Sequence, residues 1–253
     1  MKLGAQLYSL RTSLQNEVDM KETFQKVKAM GYENVQLSGA AQLPAEVIRE
    51  ASLESGLPIV CTHVPYKRFL EETDEIIREH KIFGSPVLGI GMMPTPFHGT
   101  REGFETFVKE TEEPIKKILD AGLRFAYHNH DFEFKTLDDG TENLFDEMLE
   151  RLPHWQIILD TYWVEYAGKS AVDYINRIAP ERLENVHFKD MAKDEKRSIC
   201  SCGAGVMDFA SLSEACRKVG VKNVLVEQDN APSFPDPFEE MASSFRYLRP
   251  IVK

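Results

Sequence analysis

The amino-acid sequence predicts an α/β protein of the (β/α)8 class, a TIM barrel formed by a single domain over residues 1–253. Strand-like and helix-like segments alternate along the whole chain in about eight repeats. The length of 253 residues suits one such barrel, and a hydrophobic share of 42% can fill one large core. A dinucleotide-binding sheet is excluded, because Gly89 and Gly91 in LGIGMM are followed by prolines and not by a helix.

The first half of the chain contains four strand–helix units. Their strands are predicted from short apolar runs at Leu3–Leu10, Asn34–Leu37, Pro58–His63 and Val87–Met92. Their helices are predicted at Asp19–Met30, Pro44–Ser55, Lys67–Phe83 and Thr100–Ala121. Gly31 marks the end of the first helix, and Thr100 can cap the start of the fourth.

The second half repeats the pattern four more times. Its strands are predicted at Arg124–Tyr127, Trp155–Asp160, Asn185–Phe188 and Asn223–Glu227. Its helices are predicted at Gly140–Leu152, Ser170–Ile178, Asp208–Val219 and Phe238–Leu248. No segment has the composition of a linker to a second domain, so a closed barrel is favoured over an open sheet.

Charge and composition exclude several classes of function. A formal charge of −11 makes nucleic acid an unsuitable partner, because such binding depends on Lys and Arg neutralising phosphates. We expect a cytoplasmic protein with no membrane partner, because MKLGAQLYSLRTS is no signal peptide and no apolar run approaches the length of a membrane span. The 4 cysteines do not form a disulfide framework. The sequence leaves open whether the chain forms a homo-oligomer, because it shows no heptad pattern that would indicate an interface.

The segment Arg124–Phe134, RFAYHNHDFEF, places two histidines directly after a buried strand. His128 and His130 lie two residues apart, so in an extended chain both side chains point to the same side. That spacing suits two metal ligands, or one ligand and one proton carrier. Taken alone, an HxH motif is weak, because a histidine at a strand end is more often structural.

Barrel enzymes build their sites at the carboxyl ends of the strands, where the last polar residue of each run meets the others. The polar residues at these ends are Gln6 or Tyr8, Gln36, His63, His128, His130, Asp160, His187 and Glu227. Burying imidazoles and carboxylates there is costly unless they pair or bind a cation. The sequence therefore predicts a divalent-metal site at this end of the barrel.

Four of these segments, AYHNH, ILDTYW, NVHFKD and LVEQD, resemble the xylose isomerase-like barrels, which include sugar phosphate isomerases and epimerases and are related to the endonuclease IV fold. The resemblance spans essentially the whole chain, from GAQLYSLR at its start. The resemblance implies one metal ligand on each of strands five to eight. These ligands are an acidic residue on strand five, Asp on strand six, His on strand seven and Glu on strand eight. Asp160, His187 and Glu227 match the last three.

Strand five departs from the family pattern. The epimerases carry a glutamate where this chain has His128, so the expected ligands are His128, Asp160, His187 and Glu227. By the resemblance, the strand-eight glutamate is also a catalytic acid/base, which makes Glu227 the leading base. His130 or Glu133 is expected to supply the second proton carrier. Alternatively, Glu133 is the strand-five ligand and the histidines contact substrate.

Substrate contacts are expected from four other residues. His63 is a candidate for hydrogen-bonding a sugar hydroxyl, and Tyr8 and Trp163 for the apolar wall of the site. Lys189 is expected to bind substrate oxygens, to orient His187 or to pair with Asp190. His80, His98 and His154 are expected at the surface. Mixed nitrogen and oxygen ligands favour Mn2+, with Zn2+, Co2+ and Fe2+ as alternatives.

The expected activity is metal-dependent isomerisation or epimerisation of a keto-sugar or sugar derivative, through proton abstraction and an enediolate. The missing strand-five glutamate favours one alternative, a lyase or hydrolase that acts on 3-keto-sugars or 3-keto-glycosides by β-elimination. A non-catalytic sugar-binding barrel is the third interpretation. A DNA-cleaving enzyme is disfavoured by the acidic charge.

Overall fold

The computed structural model describes residues 1–252, and its parallel strands close into an eight-stranded barrel in the order β1-β10-β7-β6-β5-β4-β3-β2. The barrel strands are Lys2–Gln6 (β1), Val35–Leu37 (β2), Ile59–Val64 (β3), Val87–Ile90 (β4), Arg124–His128 (β5), Gln156–Asp160 (β6), Asn185–Phe188 (β7) and Asn223–Val226 (β10). Asp190–Met191 (β8) and Ile199–Cys200 (β9) form a separate antiparallel ribbon. The predicted single-domain (β/α)8 fold is confirmed.

Helices connect successive strands on the outside of the barrel. They are Glu17–Met30 (α1), Ala45–Ser55 (α2), Tyr66–Glu71 (α3), Thr73–Phe83 (α4), Arg101–Asp120 (α5), Leu144–Arg151 (α6), Thr161–Tyr166 (α7), Ala171–Arg177 (α8), Phe209–Val219 (α9) and Pro237–Leu248 (α10). Short 3-10 helices lie at Leu7–Ser13, Thr95–Phe97, Phe132–Phe134, Pro180–Arg182 and Ala231–Ser233. No helix within residues 1–252 is long and apolar enough to cross a membrane.

Side-chain caps explain where many helices begin. Asn16, Thr100 and Asp208 each accept a hydrogen bond from the backbone N–H three residues later, which satisfies a donor that the first helical turn leaves free. At the other end of α1, Gly31 adopts the left-handed conformation that ends a helix. Capping side chains before a helix and a glycine after it can both be recognised in the sequence.

Three segments differ from the predicted elements. The first strand ends at Gln6, because the Gln6 side chain accepts from the Tyr8 N–H and starts a 3-10 helix. The predicted helix Lys67–Phe83 is broken at Glu72, whose φ of −123° and ψ of 28° are not helical. Helix α7 was not predicted at all, and it begins where the Asp160 carboxylate accepts from the Trp163 N–H.

The two ends of the barrel differ in chemistry. At the amino-terminal end, the Asn34 side chain donates to Asn223 Oδ1 (2.7 Å), and the Asn223 side chain donates to Asn185 Oδ1 (2.9 Å). All three amides are buried, and together they link strands β2, β10 and β7. The carboxyl-terminal end carries imidazoles, carboxylates and an ammonium group, which is where barrel enzymes hold their active sites.

Candidate metal centre

Four of the strand-end residues converge in the structure. The side chains of His128, Asp160, His187 and Glu227 are buried, and each offers one ligand atom such that all four atoms lie within 4.8 Å of one another. His187 Nδ1 lies 3.0 Å from Glu227 Oε2, and His128 Nε2 lies 3.3 Å from Asp160 Oδ2. Parallel strands β5, β6, β7 and β10 supply one residue each within one residue of their carboxyl ends.

Both imidazoles of this group are oriented by a second hydrogen bond. His128 Nδ1 lies 2.8 Å from the Gly91 carbonyl oxygen, and His187 Nε2 lies 2.6 Å from Gln36 Oε1. The remaining ring nitrogen of each histidine faces the carboxylates. Metal-binding histidines are held in this way in proteins, with one nitrogen fixed by an outer partner and the other free for the ion.

The ammonium group of Lys189 lies beside the four residues and is fully buried. Its Nζ atom lies 3.0 Å from Asp160 Oδ2, 2.9 Å from Glu227 Oε2 and 2.9 Å from Asp229 Oδ2. Burial opposes the charge of Lys189, but the three carboxylates raise its pKa well above the ordinary value. Burial alone would raise the pKa of Asp160 and Glu227, and Lys189 instead holds both well below their usual range.

The donor set fits a divalent cation. Two nitrogen and two oxygen ligands suit a first-row transition metal. The buried atoms His187 Nδ1 and Glu227 Oε2 make close ion-pair contacts with each other and, for Glu227, with Lys189, but neither atom makes a well-oriented hydrogen bond within residues 1–252. The carboxylates of Asp160, Glu227 and Asp229 outnumber the single ammonium of Lys189, which leaves an excess of negative charge for a cation to balance.

Glu133 lies outside this group of four. Its carboxylate accepts hydrogen bonds from the Tyr127 hydroxyl (2.6 Å) and from the His130 N–H (2.8 Å). Complete burial raises the pKa of Glu133 to about 7, against the effect of the Tyr127 bond. The Glu133 side chain therefore holds the backbone of His130 in place and is not one of the four clustered ligand-type residues among those described.

His130 itself lies next to the candidate ligands. Its ring centroid is 4.8 Å from that of His128 and 5.3 Å from that of Trp163. The buried Nδ1 atom of His130 has no hydrogen-bond partner in the described chain. Burial lowers the pKa of His130 well below the ordinary value, so the imidazole is neutral and available to accept a proton.

A cavity of about 710 Å³ opens onto the centre. Six residues expected to bind substrate or metal line it: Tyr8, His63, His128, His130, Lys189 and Glu227. Trp163 is not among its lining residues within the described chain, although its ring lies 5.4 Å from Lys189 Nζ. The volume falls in the usual range of about 300–1,000 Å³ for small-molecule sites.

His63 reaches the centre from strand β3. Its ring centroid lies 5.1 Å from that of His128 and 5.9 Å from that of His187. Gly89 and Gly91 leave the room that this ring needs, because a Cβ atom on Gly91 would lie 3.0 Å from His63 Nδ1. Gly89 in β4 and Gly91 directly after it thus leave space for the His63 imidazole. His63 Nε2 is buried without a hydrogen-bond partner among the described residues.

Two expectations about polar residues are wrong. His80 is buried, not exposed, because its Nε2 lies 2.7 Å from Thr62 Oγ1 and its Nδ1 lies 2.6 Å from the Ile76 carbonyl oxygen. Asp190 does not pair with Lys189. Its carboxylate instead accepts from four backbone N–H groups, which ties the following loop to the barrel: Met191, Gly203, Gly205 and Met207.

Asp229 and Gln36 are the site residues whose roles the sequence reasoning missed. Asp229 pairs with Lys189, and Gln36 orients His187. Gln36 stands at a strand end and was recognised only as a polar rim residue. Asp229 offered a further signal, since LVEQD carries a second carboxylate two residues after Glu227.

Comparisons with known proteins agree with this architecture. The structure is similar to a sugar phosphate isomerase/epimerase from Parabacteroides distasonis, with 23% identity, a TM-score of 0.83 and 100% of each chain covered. It is similar to a D-allulose 3-epimerase from Methylomonas sp., with 14% identity, a TM-score of 0.74 and 99% and 97% of the two chains covered. A 3-keto-D-glucoside 4-epimerase from E. coli gives 20% identity, a TM-score of 0.70 and 99% coverage of each chain.

The comparison with curated protein sequences gives no match. The family model of the xylose isomerase-like TIM barrel matches residues 24–251, nearly the whole chain. This match agrees with the resemblance seen in the four strand-end segments and with the closed barrel. The chain therefore belongs to the xylose isomerase-like TIM barrel family.

Proposed function

We propose that this chain is a divalent-metal-dependent isomerase or epimerase that acts on a keto-sugar or sugar derivative through proton abstraction and an enediolate. One observation carries the proposal. His128, Asp160, His187 and Glu227 form a buried group of ligand type, and two of them line a cavity of small-molecule size. The names of the similar structures, a D-allulose 3-epimerase and a 3-keto-D-glucoside 4-epimerase, support the same reaction class.

The four residues would hold the cation, and Mn2+ is the first choice because two imidazoles accompany two carboxylates. A divalent cation bound there supplies positive charge near the substrate carbonyl and so makes the neighbouring C–H more acidic. Zn2+, Co2+ and Fe2+ satisfy the same ligands. Mg2+ is less suitable because it prefers oxygen ligands alone.

Glu227 is the proposed base that removes the proton. It lines the cavity, and the Lys189 ammonium 2.9 Å away keeps its carboxylate ionised. His130 is the proposed second proton carrier, since it lines the same cavity and its Nδ1 is free. His63 is proposed to donate or accept a hydrogen bond to a substrate hydroxyl through its free Nε2.

The substrate is proposed to carry no phosphate. Arg68 and Lys189 are the cationic residues of Lys or Arg type that line the cavity within residues 1–252. Arg68 pairs with Glu72 and Glu79, and Lys189 pairs with three carboxylates. A phosphate group would need a cation that is not already neutralised.

Elimination is the second candidate reaction, and the histidine on strand β5 favours it. Epimerisation requires a proton carrier on each face of the substrate, whereas β-elimination needs one base and an acid for the leaving group. Here Glu227 would be the base, and His130 would be the acid once its neutral imidazole has taken up a proton. The similarity to a 3-keto-D-glucoside enzyme supports a substrate with such a leaving group.

Solvent exchange tests the proposal. Purified protein loaded with Mn2+ is incubated in deuterated water with D-fructose, D-allulose or 3-keto-D-glucose, and deuterium in the sugar is measured by mass spectrometry. Wild type is expected to incorporate deuterium next to the carbonyl, and Glu227→Gln to lose at least about a hundredfold in rate. Exposed Glu214→Gln is the matched control. Absence of exchange with every keto-sugar would leave a non-catalytic sugar-binding barrel.

A further inference from the structure

The cavity extends well beyond the metal centre. It continues from His63 and His128 into a space between helix α2 and helices α3 and α4. We call this space the side chamber and define it by its lining residues: Leu43, Ile48, Arg68, Glu79, His80 and Phe83. None of these six residues was assigned a role above in metal binding or proton transfer.

Three of the six side chains that line the side chamber are apolar, and the two charged ones, Arg68 and Glu79, pair with each other. Ile48 and Phe83 present buried apolar side chains. Arg68 donates to Glu72 (2.6 Å) and to Glu79 (3.0 Å), so its charge is balanced by carboxylates. His80 is held between Thr62 and the Ile76 carbonyl oxygen, and its burial lowers its pKa to about 4, so the imidazole is neutral.

Strand β3 connects the two parts of the cavity. His63 faces the metal centre, while the adjacent Thr62 contacts His80 of the side chamber and also lines the cavity. The loop between β2 and α2 lines the cavity with the small residues Ser38, Gly39, Ala40 and Ala41. Such residues keep the passage wide, so one molecule can extend from the centre into the chamber.

We infer that the side chamber binds an uncharged, largely apolar substituent attached to the sugar, so that the substrate is a keto-glycoside and not a free keto-sugar. This inference rests on the proposed function, because it takes the metal centre as the place where the sugar ring reacts. The balanced Arg68 and neutral His80 argue against a phosphate or carboxylate in the chamber. The apolar side chains of Leu43, Ile48 and Phe83 favour contact with a ring-sized hydrocarbon or aryl group.

The inference is tested by comparing two substrates in three proteins. The substrates are phenyl 3-keto-β-D-glucoside and free 3-keto-D-glucose, and kcat/KM is measured for consumption of each. The proteins are wild type, Ala41→Phe, which fills the passage, and Ala210→Phe, which adds the same group at an exposed position outside the cavity. Binding of unoxidised phenyl β-D-glucoside and of D-glucose is measured by calorimetry with the same proteins.

Wild type is expected to prefer the phenyl glycoside by about tenfold or more, the gain from burying one aromatic ring. Ala41→Phe is expected to lose that preference because the added ring fills the passage, whereas Ala210→Phe is expected to keep it. Equal use of both substrates by wild type, or an equal loss for both in Ala41→Phe, would overturn the inference.

Failure of the proposed reaction can be distinguished from failure of the chamber. One outcome would support the chamber and contradict the reaction. Neither substrate would be consumed, but phenyl β-D-glucoside would bind wild type more tightly than D-glucose does, and Ala41→Phe would abolish that difference. If the phenyl group adds no affinity in wild type, the chamber inference is wrong whatever the activity.

Discussion

The buried ammonium group of Lys189 joins carboxylates that follow two different barrel strands, β6 and β10. NVHFKD identified it as a polar residue near the site, with substrate oxygens, His187 or Asp190 as its expected partners. In the structure it contacts Asp160, Glu227 and Asp229, which lie 29, 38 and 40 positions away in the chain. Those partners come from other strand ends, so their identity depends on barrel closure and not on the local motif.

Asp229 is predicted to control metal affinity. Its carboxylate holds one side of the Lys189 ammonium, and Asp229→Asn would leave Lys189 paired only with the candidate ligands Asp160 and Glu227. Because the ammonium then competes with the cation, we expect affinity for Mn2+ to fall about 10- to 100-fold by calorimetry. Exposed Asp120→Asn is the control. Unchanged affinity in Asp229→Asn would show that the pair does not influence the centre.

His80 is predicted to make stability depend on pH. Burial lowers its pKa from 6.5 to about 4, so the unfolded chain binds a proton between these values and the folded chain does not. The contribution of His80 to the free energy of unfolding is therefore fully present above pH 6.5. It falls by about 3 kcal/mol as the pH decreases toward 4. Urea unfolding of wild type and His80→Gln from pH 7 to 4 measures this loss. A difference between the two that stays constant with pH would contradict it.

At the scale of elements, apolar periodicity located every barrel strand, because a buried parallel strand must be a short apolar run. It failed where a side chain decided the local structure. The Asp160 carboxylate caps the start of α7. The segment Thr161–Tyr166 is too short for its apolar residues to predict a helix. Similarly, the break at Glu72 lies inside a charged segment that reads as one continuous helix.

Asn223 is predicted to stabilise the barrel without affecting its chemistry. Asn223→Ala would leave the Asn34 amide and the Asn185 carbonyl oxygen buried without their partner. We expect the free energy of unfolding in urea to fall by about 2–3 kcal/mol. Metal content is expected to stay unchanged, because the three hydrogen-bonded asparagines lie at the opposite end of the barrel from the candidate metal centre. Exposed Lys218→Ala serves as control, and metal loss in Asn223→Ala would contradict this separation.

At the scale of the whole molecule, a single geometric rule carried most of the prediction. Once eight strand–helix units close into a barrel, the carboxyl ends of all strands meet, so the polar strand-end residues are expected at one rim. The family resemblance then selected His128, Asp160, His187 and Glu227 among them, and these four cluster in the structure. The side chamber could not be predicted, because it depends on how α2, α3 and α4 pack around small loop residues. The periodic pattern of apolar residues does not predict how these helices pack around the loop.

The most direct test of the account is the metal content of purified wild type, His128→Ala and Glu133→Gln, each grown with manganese and zinc and measured by mass spectrometry. Exposed His154→Ala is the matched control for loss of an imidazole. We expect about one metal per chain in wild type, Glu133→Gln and the control, and loss of metal in folded His128→Ala. Full metal content in His128→Ala together with loss in Glu133→Gln would contradict it and make Glu133 the strand-five ligand.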